Sequence, residues 1–187
     1  MPSPNGLHLI LAVATLAGLI VTPDAMAERA DRDKPVNLEA DKVSVDDAKK
    51  VLVFDGNVLL SQGTMTIRAS KLVVTQDDNG FQRGVATGTA NAPARFRQKR
   101  EGRDDYIEGE AERIEHDARA EKTEFFVRAR VKSGGDEVTG SYISFDSITE
   151  RYLVTGTQAS KPGAPSDGRV RATIQPKGKP TPEKTPQ

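Results

Sequence analysis

The stretch LVFDGNVLLS, from Leu52 to Ser61, determines the class of fold. Four of its apolar residues, Leu52, Phe54, Val58 and Leu60, share one parity, and its polar residues Asp55, Asn57 and Ser61 share the other. An apolar residue at every second position predicts a β-strand with one face buried. The same alternation recurs at 43–46 and at 125–132, so strands of this kind are expected along the chain.

Turn-forming residues separate the alternating stretches at short intervals. They are Asp46-Asp47, Asp55-Gly56-Asn57, Gln62-Gly63, Asp77-Asp78-Asn79-Gly80, Gly102-Arg103-Asp104-Asp105 and Gly134-Gly135-Asp136. Asp, Asn and Gly favour chain reversals between strands. A helical period is weak and confined to 108–116, where a strand fits equally well. The chain is therefore predicted to be all-β.

An internal repeat underlies the alternation, with copies at 37–43, 66–72 and 137–143. Each copy holds two apolar residues five positions apart, as Ile67 and Leu72 are. Five is odd, so a straight strand would point the two side chains to opposite faces. A bulge or corner at the small residue between them lets both face the interior. The small residues are Ala40, Ala69 and Gly140. The repeat thus predicts a long two-sheet roll.

The first 27 residues are predicted to be a cleaved secretory signal peptide. Leu9 to Val21 is a nearly unbroken apolar run, and Ala25-Met26-Ala27 is a small-x-small cleavage signal. The expected organisation is a signal peptide at 1–27, a flexible segment at 28–35, a β-domain at 36–175 and a disordered tail rich in Pro and Lys at 176–187. Export is therefore expected, and cleavage places Glu28 at the new N-terminus.

Composition narrows the function classes. The 187 residues carry 27 Lys and Arg against 27 Asp and Glu, so net charge gives no general attraction to nucleic acid. The sequence has no Cys, so no disulfide supports the fold and no thiol acts as a nucleophile. His116, in Glu115-His116-Asp117, is the single His after the signal peptide; a solvated side chain is favoured there over a metal ligand or general base. No catalytic residue, metal site or cofactor is predicted.

A basic stretch from Arg95 to Arg103 has two interpretations. Arg95, Arg97 and Lys99 alternate with Phe96, as on the outer face of a strand. A solvated strand face is favoured, and a contact to lipid phosphates is the functional alternative. Basic residues beside aromatic ones also occur in single-stranded nucleic-acid binders, but export from the cytoplasm argues against nucleic acid.

Several motifs occur in an order that is typical of one family. They are Lys34 to Asp41 (KPVNLEAD), Phe54 to Val58 (FDGNV), Gln62 to Thr64 (QGT), Ile67 to Ala69 (IRA) and Arg95 to Gln98 (RFRQ). On these motifs the chain resembles the LptA family of OstA-like lipopolysaccharide transport proteins over residues 33–174. One departure is Phe126-Val127-Arg128-Ala129, a later copy of the FDGN motif in which the Gly and the Asn are missing.

The resemblance implies an elongated, twisted antiparallel β-jellyroll, with two facing sheets and an open apolar groove that holds the acyl chains of lipid A. It implies a periplasmic carrier that moves lipopolysaccharide from the inner to the outer membrane. Its implied partners are LptC at the inner membrane, LptD at the outer membrane and further copies of the chain. Apolar alternation by itself favours an ordinary core, and the lipid-lined groove is what the resemblance implies. The alternative function is a non-enzymatic adaptor that binds envelope proteins through strand edges.

Two sets of candidate site residues follow. The residues expected to line the groove are Val36, Leu38, Phe54, Val58, Leu60, Met65, Ile67, Leu72, Val74, Phe96, Ile107, Phe125, Val127, Ile143 and Phe145. An unclosed roll leaves its first and last strands exposed, and an exposed edge is a template for another strand. The residues expected to bind partners are Val36, Leu38, Ala40, Arg169, Val170, Arg171, Ala172, Thr173 and Ile174.

Overall fold

A computed structural model describes residues 31, 33–100, 102–156 and 168–176. Within these ranges the chain forms twelve β-strands, all paired antiparallel. They are β1 (Asn37–Glu39), β2 (Lys42–Asp46), β3 (Val51–Gln62), β4 (Met65–Asp77), β5 (Gly80–Thr87), β6 (Ala94–Lys99), β7 (Tyr106–Ala111), β8 (Arg113–Asp117), β9 (Lys122–Ser133), β10 (Asp136–Asp146), β11 (Arg151–Thr155) and β12 (Arg171–Thr173). The predicted all-β class is confirmed, and the weak helical pattern at 108–116 forms β7 and β8.

The strands build two facing layers. Layer I contains β2, β5, β8 and β11, and layer II contains β1, β6, β7 and β12. The long strands β3, β4, β9 and β10 bend and contribute one half to each layer. The two layers share a single apolar core. The result is the elongated β-jellyroll that was expected.

Within the described residues, the passages between the layers lie on one long side of the roll, the corner side. They occur near 40, 56, 70, 88–93, 112, 127 and 141. The hairpin turns lie on the opposite side, the turn side, at 47–50, 63–64, 78–79, 102–105, 118–121, 134–135 and 147–150. Each of these turns connects strands of the same layer. In this part of the chain the backbone therefore joins the layers along the corner side, and side chains join them along the turn side.

Two bulges make the corners in the long strands. The register of β3 against β4 shifts between Asp55 and Val58, and that of β9 against β10 shifts between Gly140 and Tyr142. Ile67 and Leu72 are both buried, so the predicted change of parity at Ala69 is confirmed. A bulge adds one residue to one strand and bends it.

The bulges also correct two expectations. The predicted turn at Asp55-Gly56-Asn57 is a bulge inside the continuous strand β3, with φ of 80° at Gly56 and 46° at Asn57. The matching bulge in β9 has φ of 64° at Val127 and 55° at Arg128, although neither residue is Gly or Asn. Left-handed backbone is costly for a β-branched residue such as Val127.

Val43 and Val45 on β2 also differ from expectation. Their alternation predicts a buried face, yet the two side chains are 52% and 56% exposed. β2 is the terminal strand of layer I and pairs only with β3. The apolar face therefore continues past the point where the roll ends, and it meets water there.

Candidate functional site: the apolar interior and its openings

The interior between the layers is lined by most of the residues predicted for it. Those that are fully buried are Phe54, Val58, Leu60, Met65, Ile67, Leu72, Val74, Phe96, Ile107, Phe125, Ile143 and Phe145. Val36 and Leu38 are partly buried and pack against this cluster. The rings of Phe96 in layer II and Phe125 in layer I meet edge to face, with 5.8 Å between centroids. The interior is thus one apolar cluster that both layers share.

Val127 does not belong to this interior. Its side chain is 51% exposed, and the expectation that it lines the groove is wrong. The bulge at 127–128 interrupts the alternation of β9, so Phe125, Ala129 and Val131 face the core while Val127 lies at the corner. A simple count of parity cannot detect an extra residue of this kind.

The sequence analysis also missed interior residues. They are Ala86, Ala94, Ala111, Ile114, Ala129 and Val131, all buried. Four are alanines, which a search for large apolar residues overlooks. Ala129 and Val131 belong to the alternation at 125–132, and Ile114 lies in the 108–116 stretch that was left open between helix and strand.

A cleft of about 450 Å³ opens into the interior on the turn side. Its apolar wall includes Val36, Leu38, Met65, Val74 and Phe81, and its rim carries polar and charged side chains. The turn at 63–64 of layer II and the turns at 78–79 and 118–121 of layer I surround it. The cleft lies on the side where, in the part of the chain that the structure describes, no backbone passage joins the layers, so it is the natural entrance to the interior.

A short segment before β1 lies at this entrance. The carboxylate of Asp31, which is 6% exposed, accepts hydrogen bonds from the backbone N–H and the hydroxyl of Thr64. The side-chain amide of Gln62 donates to the carbonyl oxygen of Lys34 at 3.1 Å. The chain is therefore anchored at Asp31. For the remainder of 28–35, flexibility stays a prediction.

His116 also faces the cleft, which corrects the expectation of a solvated side chain. It is 5% exposed, and its Nδ1 lies 3.0 Å from the hydroxyl oxygen of Thr123. Alternation along β8 buries Ile114 and His116 and turns Glu115 outward. Burial lowers the pKa of His116 from 6.5 to about 4, and the nearby carboxylate of Asp117 opposes this shift. The imidazole is therefore neutral at pH 7.

The two ends of the roll expose apolar side chains and unpaired strand edges. β1 and β2 form one end, and β11 and β12 form the other. Within the described residues each of these strands pairs along one edge, β1 and β2 with β3 and β11 and β12 with β10. At the second end Tyr152, the register partner of the buried Phe145, is 36% exposed and Ile174 is 78% exposed, in keeping with the exposed valines of β2 at the first. Among the described residues, therefore, no segment covers either end of the roll.

The residues predicted to bind partners lie at these ends. Val36, Leu38 and Ala40 flank or belong to β1 and pack partly against the core. Arg171, Ala172 and Thr173 form β12, paired with β10. Arg169, Val170 and Ile174 adjoin β12 without belonging to it, so the last strand is shorter than predicted.

The basic stretch lies outside the interior. In β6 the side chains of Arg95 and Arg97 are 68% and 51% exposed, while Phe96 between them is buried. Lys99 pairs with Asp104 at 3.1 Å. The interpretation of these residues as the outer face of a strand is confirmed.

Comparison with known proteins identifies the family. Residues 37–151 match the model of the family described as "LptA/(LptD N-terminal domain) LPS transport protein". The chain belongs to this LptA/LptD N-terminal family. The match spans β1 to the start of β11, so it includes both layers and all four bending strands.

Individual relatives of the LptA family agree. The lipopolysaccharide export system protein LptH of Pseudomonas aeruginosa is 28% identical over 180 residues, covering 94% of this chain and 97% of that protein. LptA of Haemophilus influenzae is 26% identical over 152 residues, covering 81% and 87%. LptA of Escherichia coli K12 is 35% identical over 111 residues, covering 59% and 57%.

A solved structure shows the same architecture. The crystal structure of Pseudomonas aeruginosa LptH, described as the LptA-homologous periplasmic component of a lipopolysaccharide transport device, superposes with a TM-score of 0.69. The sequences are 25% identical, and the alignment covers 78% of this chain and 99% of that one. Members of the LptA family are transport proteins rather than enzymes. In the described part of the chain, no helix has the length and apolarity needed to cross a membrane.

Proposed function

We propose that this protein carries lipopolysaccharide through the periplasm, with the acyl chains of lipid A held between the two layers, and bridges the inner and outer membranes. One observation carries the proposal: the apolar interior runs from β1 to β11, opens at a side cleft and remains exposed at both ends. An ordinary core would be covered at its ends. An apolar interior that is open in this way suits long hydrocarbon chains, because burying their surface yields about 25 cal/mol per Å².

The topology explains how lipid enters a filled interior. The layers are joined by backbone along the corner side and by side chains along the turn side. Acyl chains entering at the cleft separate the layers there without breaking a strand pair. The groove-lining residues are thus proposed contacts of lipid, with Val127 excluded from the set because it lies at the surface.

Photo-crosslinking in cells tests the lipid site. A crosslinker at Leu38, Phe54 or Phe96 should capture lipopolysaccharide, because these side chains face the interior. A crosslinker at Asp55 or Lys71, which are half exposed and paired with each other, should not. Equal capture at both sets contradicts a lipid-binding interior and favours an adaptor that binds proteins through its edges.

Partners are proposed for the two ends. The family includes the N-terminal domain of LptD, and a jellyroll of the same kind offers matching strand edges. We place LptC of the inner membrane at β1 and LptD of the outer membrane at β12, with other copies joining end to end. A contact between the last strand of one copy and the first of the next does not close, so it extends into a filament.

We also propose that residues 1–27, which lie outside the described residues, are a signal peptide removed on export. N-terminal sequencing of the protein from the periplasmic fraction should begin at Glu28. A protein that retains Met1, or that stays in the cytoplasm, contradicts this assignment. The test is independent of lipid binding because it reports only location and processing.

A further inference from the structure

The outer face of layer II, turned away from the apolar interior, carries a shallow pocket of about 370 Å³. Strands β4, β6, β7 and β9 supply its wall through side chains that alternate with core residues. A volume above roughly 300 Å³ is typical of sites for small ligands or single sugar units. The pocket is distinct from the cleft and the interior, and the family comparison assigns it no role.

The pocket has more cations than carboxylates. Its cations are Arg68, Arg95, Arg97, Arg130 and Lys132, and the carboxylates that face them are Glu108, Glu110 and Glu137. Glu110 is shared between Arg95 at 3.9 Å and Arg130 at 3.4 Å, and Glu137 is shared between Arg130 and Lys132. Two positive charges therefore remain uncompensated on one concave surface.

The excess is concentrated at Arg68 and Arg95. These residues are directly opposite each other on β4 and β6, and like charges in that position destabilise a sheet. Within the described residues Arg68 has no ion-pair partner, and the contact from Arg95 to Glu110 is long. The fold gains nothing from this pair. Two guanidinium groups side by side are instead suited to a phosphate, which accepts bidentate hydrogen bonds from arginine.

The pocket adjoins the entrance to the interior. Met65 and Gln98 line the cleft, while their chain neighbours Thr66 and Arg97 line the pocket. Thr66 and Arg97 are also register partners on β4 and β6. Met65 in the cleft and Arg68 in the pocket are three residues apart on β4. Since a strand rises about 3.3 Å per residue, cleft and pocket are separated along the strand by a distance on the order of 10 Å. A headgroup attached to chains in the cleft spans that distance.

We infer that this pocket binds a phosphate group on the sugar headgroup of the lipid whose acyl chains enter the cleft. The inference rests on the proposed function, since it takes lipopolysaccharide as the cargo, and it adds a headgroup site to the acyl-chain site. Arg68 and Arg95 hold the phosphate, while Arg97 supplies positive charge nearer the rim. Because the headgroup is bound outside the interior, its charges stay in contact with water and are not transferred into an apolar environment.

Binding of lipopolysaccharide before and after cleavage of its phosphate esters tests the site. Wild-type mature protein should bind the intact lipid about tenfold more tightly than the dephosphorylated lipid, the effect of one or two charge-assisted hydrogen bonds. The double variant Arg68→Gln, Arg95→Gln should bind both forms with the same affinity as wild type binds the dephosphorylated form. Because the substitution removes a repulsive pair, the variant should retain the thermal unfolding midpoint of wild type.

The control is Arg113→Gln, which removes an arginine that is about half exposed on layer I and should bind the two lipids as wild type does. A wild type that binds both lipids equally overturns the headgroup site and leaves lipid carriage intact. A double variant that still discriminates between the lipids, or that weakens both alike, also overturns the site. A wild type that binds neither lipid refutes the proposed function itself, and the headgroup site with it.

Discussion

Nη2 of Arg100 in layer II lies 3.0 Å from Oε2 of Glu150 in layer I. The pair joins the β6–β7 turn to the β10–β11 turn across the turn side, where no backbone of the described residues connects the layers. The Arg100 side chain is only 13% exposed, and its Nη1 also bonds Asp105 at 3.2 Å. The side cleft opens nearer β1, so this ion pair holds the turn side closed toward the other end of the roll.

Replacing Arg100 should loosen that closure. Arg100→Met keeps the apolar stem but leaves two carboxylates, each about one third exposed, without their cation, so the free energy of unfolding should fall by about 1–2 kcal/mol. Urea unfolding measures this change. Lys49→Met, which removes an exposed pair with Asp46, should change it by less than about 0.5 kcal/mol. Equal effects of the two substitutions would show that the Arg100 contact does not brace the layers.

Stability should depend on pH through His116. Its pKa is about 4 in the folded chain and near 6.5 when unfolded, so protonation favours the unfolded state. The contribution of neutral His116 to the free energy of unfolding is fully present above pH 6.5. It is lost as pH falls from 6.5 toward 4, with a slope of up to about 1.4 kcal/mol per pH unit. Unfolding free energies of wild type and His116→Gln, measured between pH 7 and pH 4.5, provide the test.

Glutamine retains a hydrogen-bonding group for Thr123 but does not titrate. The variant should therefore lose less stability than wild type over that range, whatever its stability at pH 7. Carboxylates whose pKa is lowered, such as Glu124 through its ion pair and hydrogen bonds, are shared by both proteins and cancel in the comparison. Parallel pH profiles for the two proteins would exclude His116 as the source.

A glycine at the β9 bulge should make the protein more stable. Val127→Gly places a residue without Cβ at φ 64°, and relief of left-handed strain should raise the free energy of unfolding by about 1 kcal/mol. The matched control is Val45→Gly, an equally exposed valine in the regular strand β2, where glycine should lower stability. Thermal denaturation of both variants checks the prediction; a less stable Val127→Gly would mean that the side chain contributes more than its strain costs.

Two truncations test end-to-end association. Removing Arg169 to Gln187 deletes β12, which pairs with β10 at 137–139, and should abolish concentration-dependent oligomers without abolishing lipid binding. Removing Pro176 to Gln187 leaves β12 in place and should leave association unchanged. Sedimentation velocity over a range of concentrations compares them with the mature chain. Oligomers that persist in the longer truncation would place the docking edge elsewhere.

The sequence by itself determined the class of fold, the two-layer roll and most of the interior. Period-two alternation identifies the buried face of a strand, and the odd spacing of Ile67 and Leu72 requires a change of face between them. Both are local properties of the chain. The order of the motifs was enough to indicate the family, because it follows the repeat that builds the layers.

Only the tertiary structure decided which residues come together from distant strands. Val127 leaves the interior because of a bulge whose sequence lacks Gly and Asn, and Val43 is exposed because β2 has no further neighbour. His116 is buried by its place in the roll, despite charged neighbours in the chain. The opposition of Arg68 and Arg95 depends on the register of β4 against β6. Register and edges arise from long-range pairing, and a single stretch of sequence does not specify its partner.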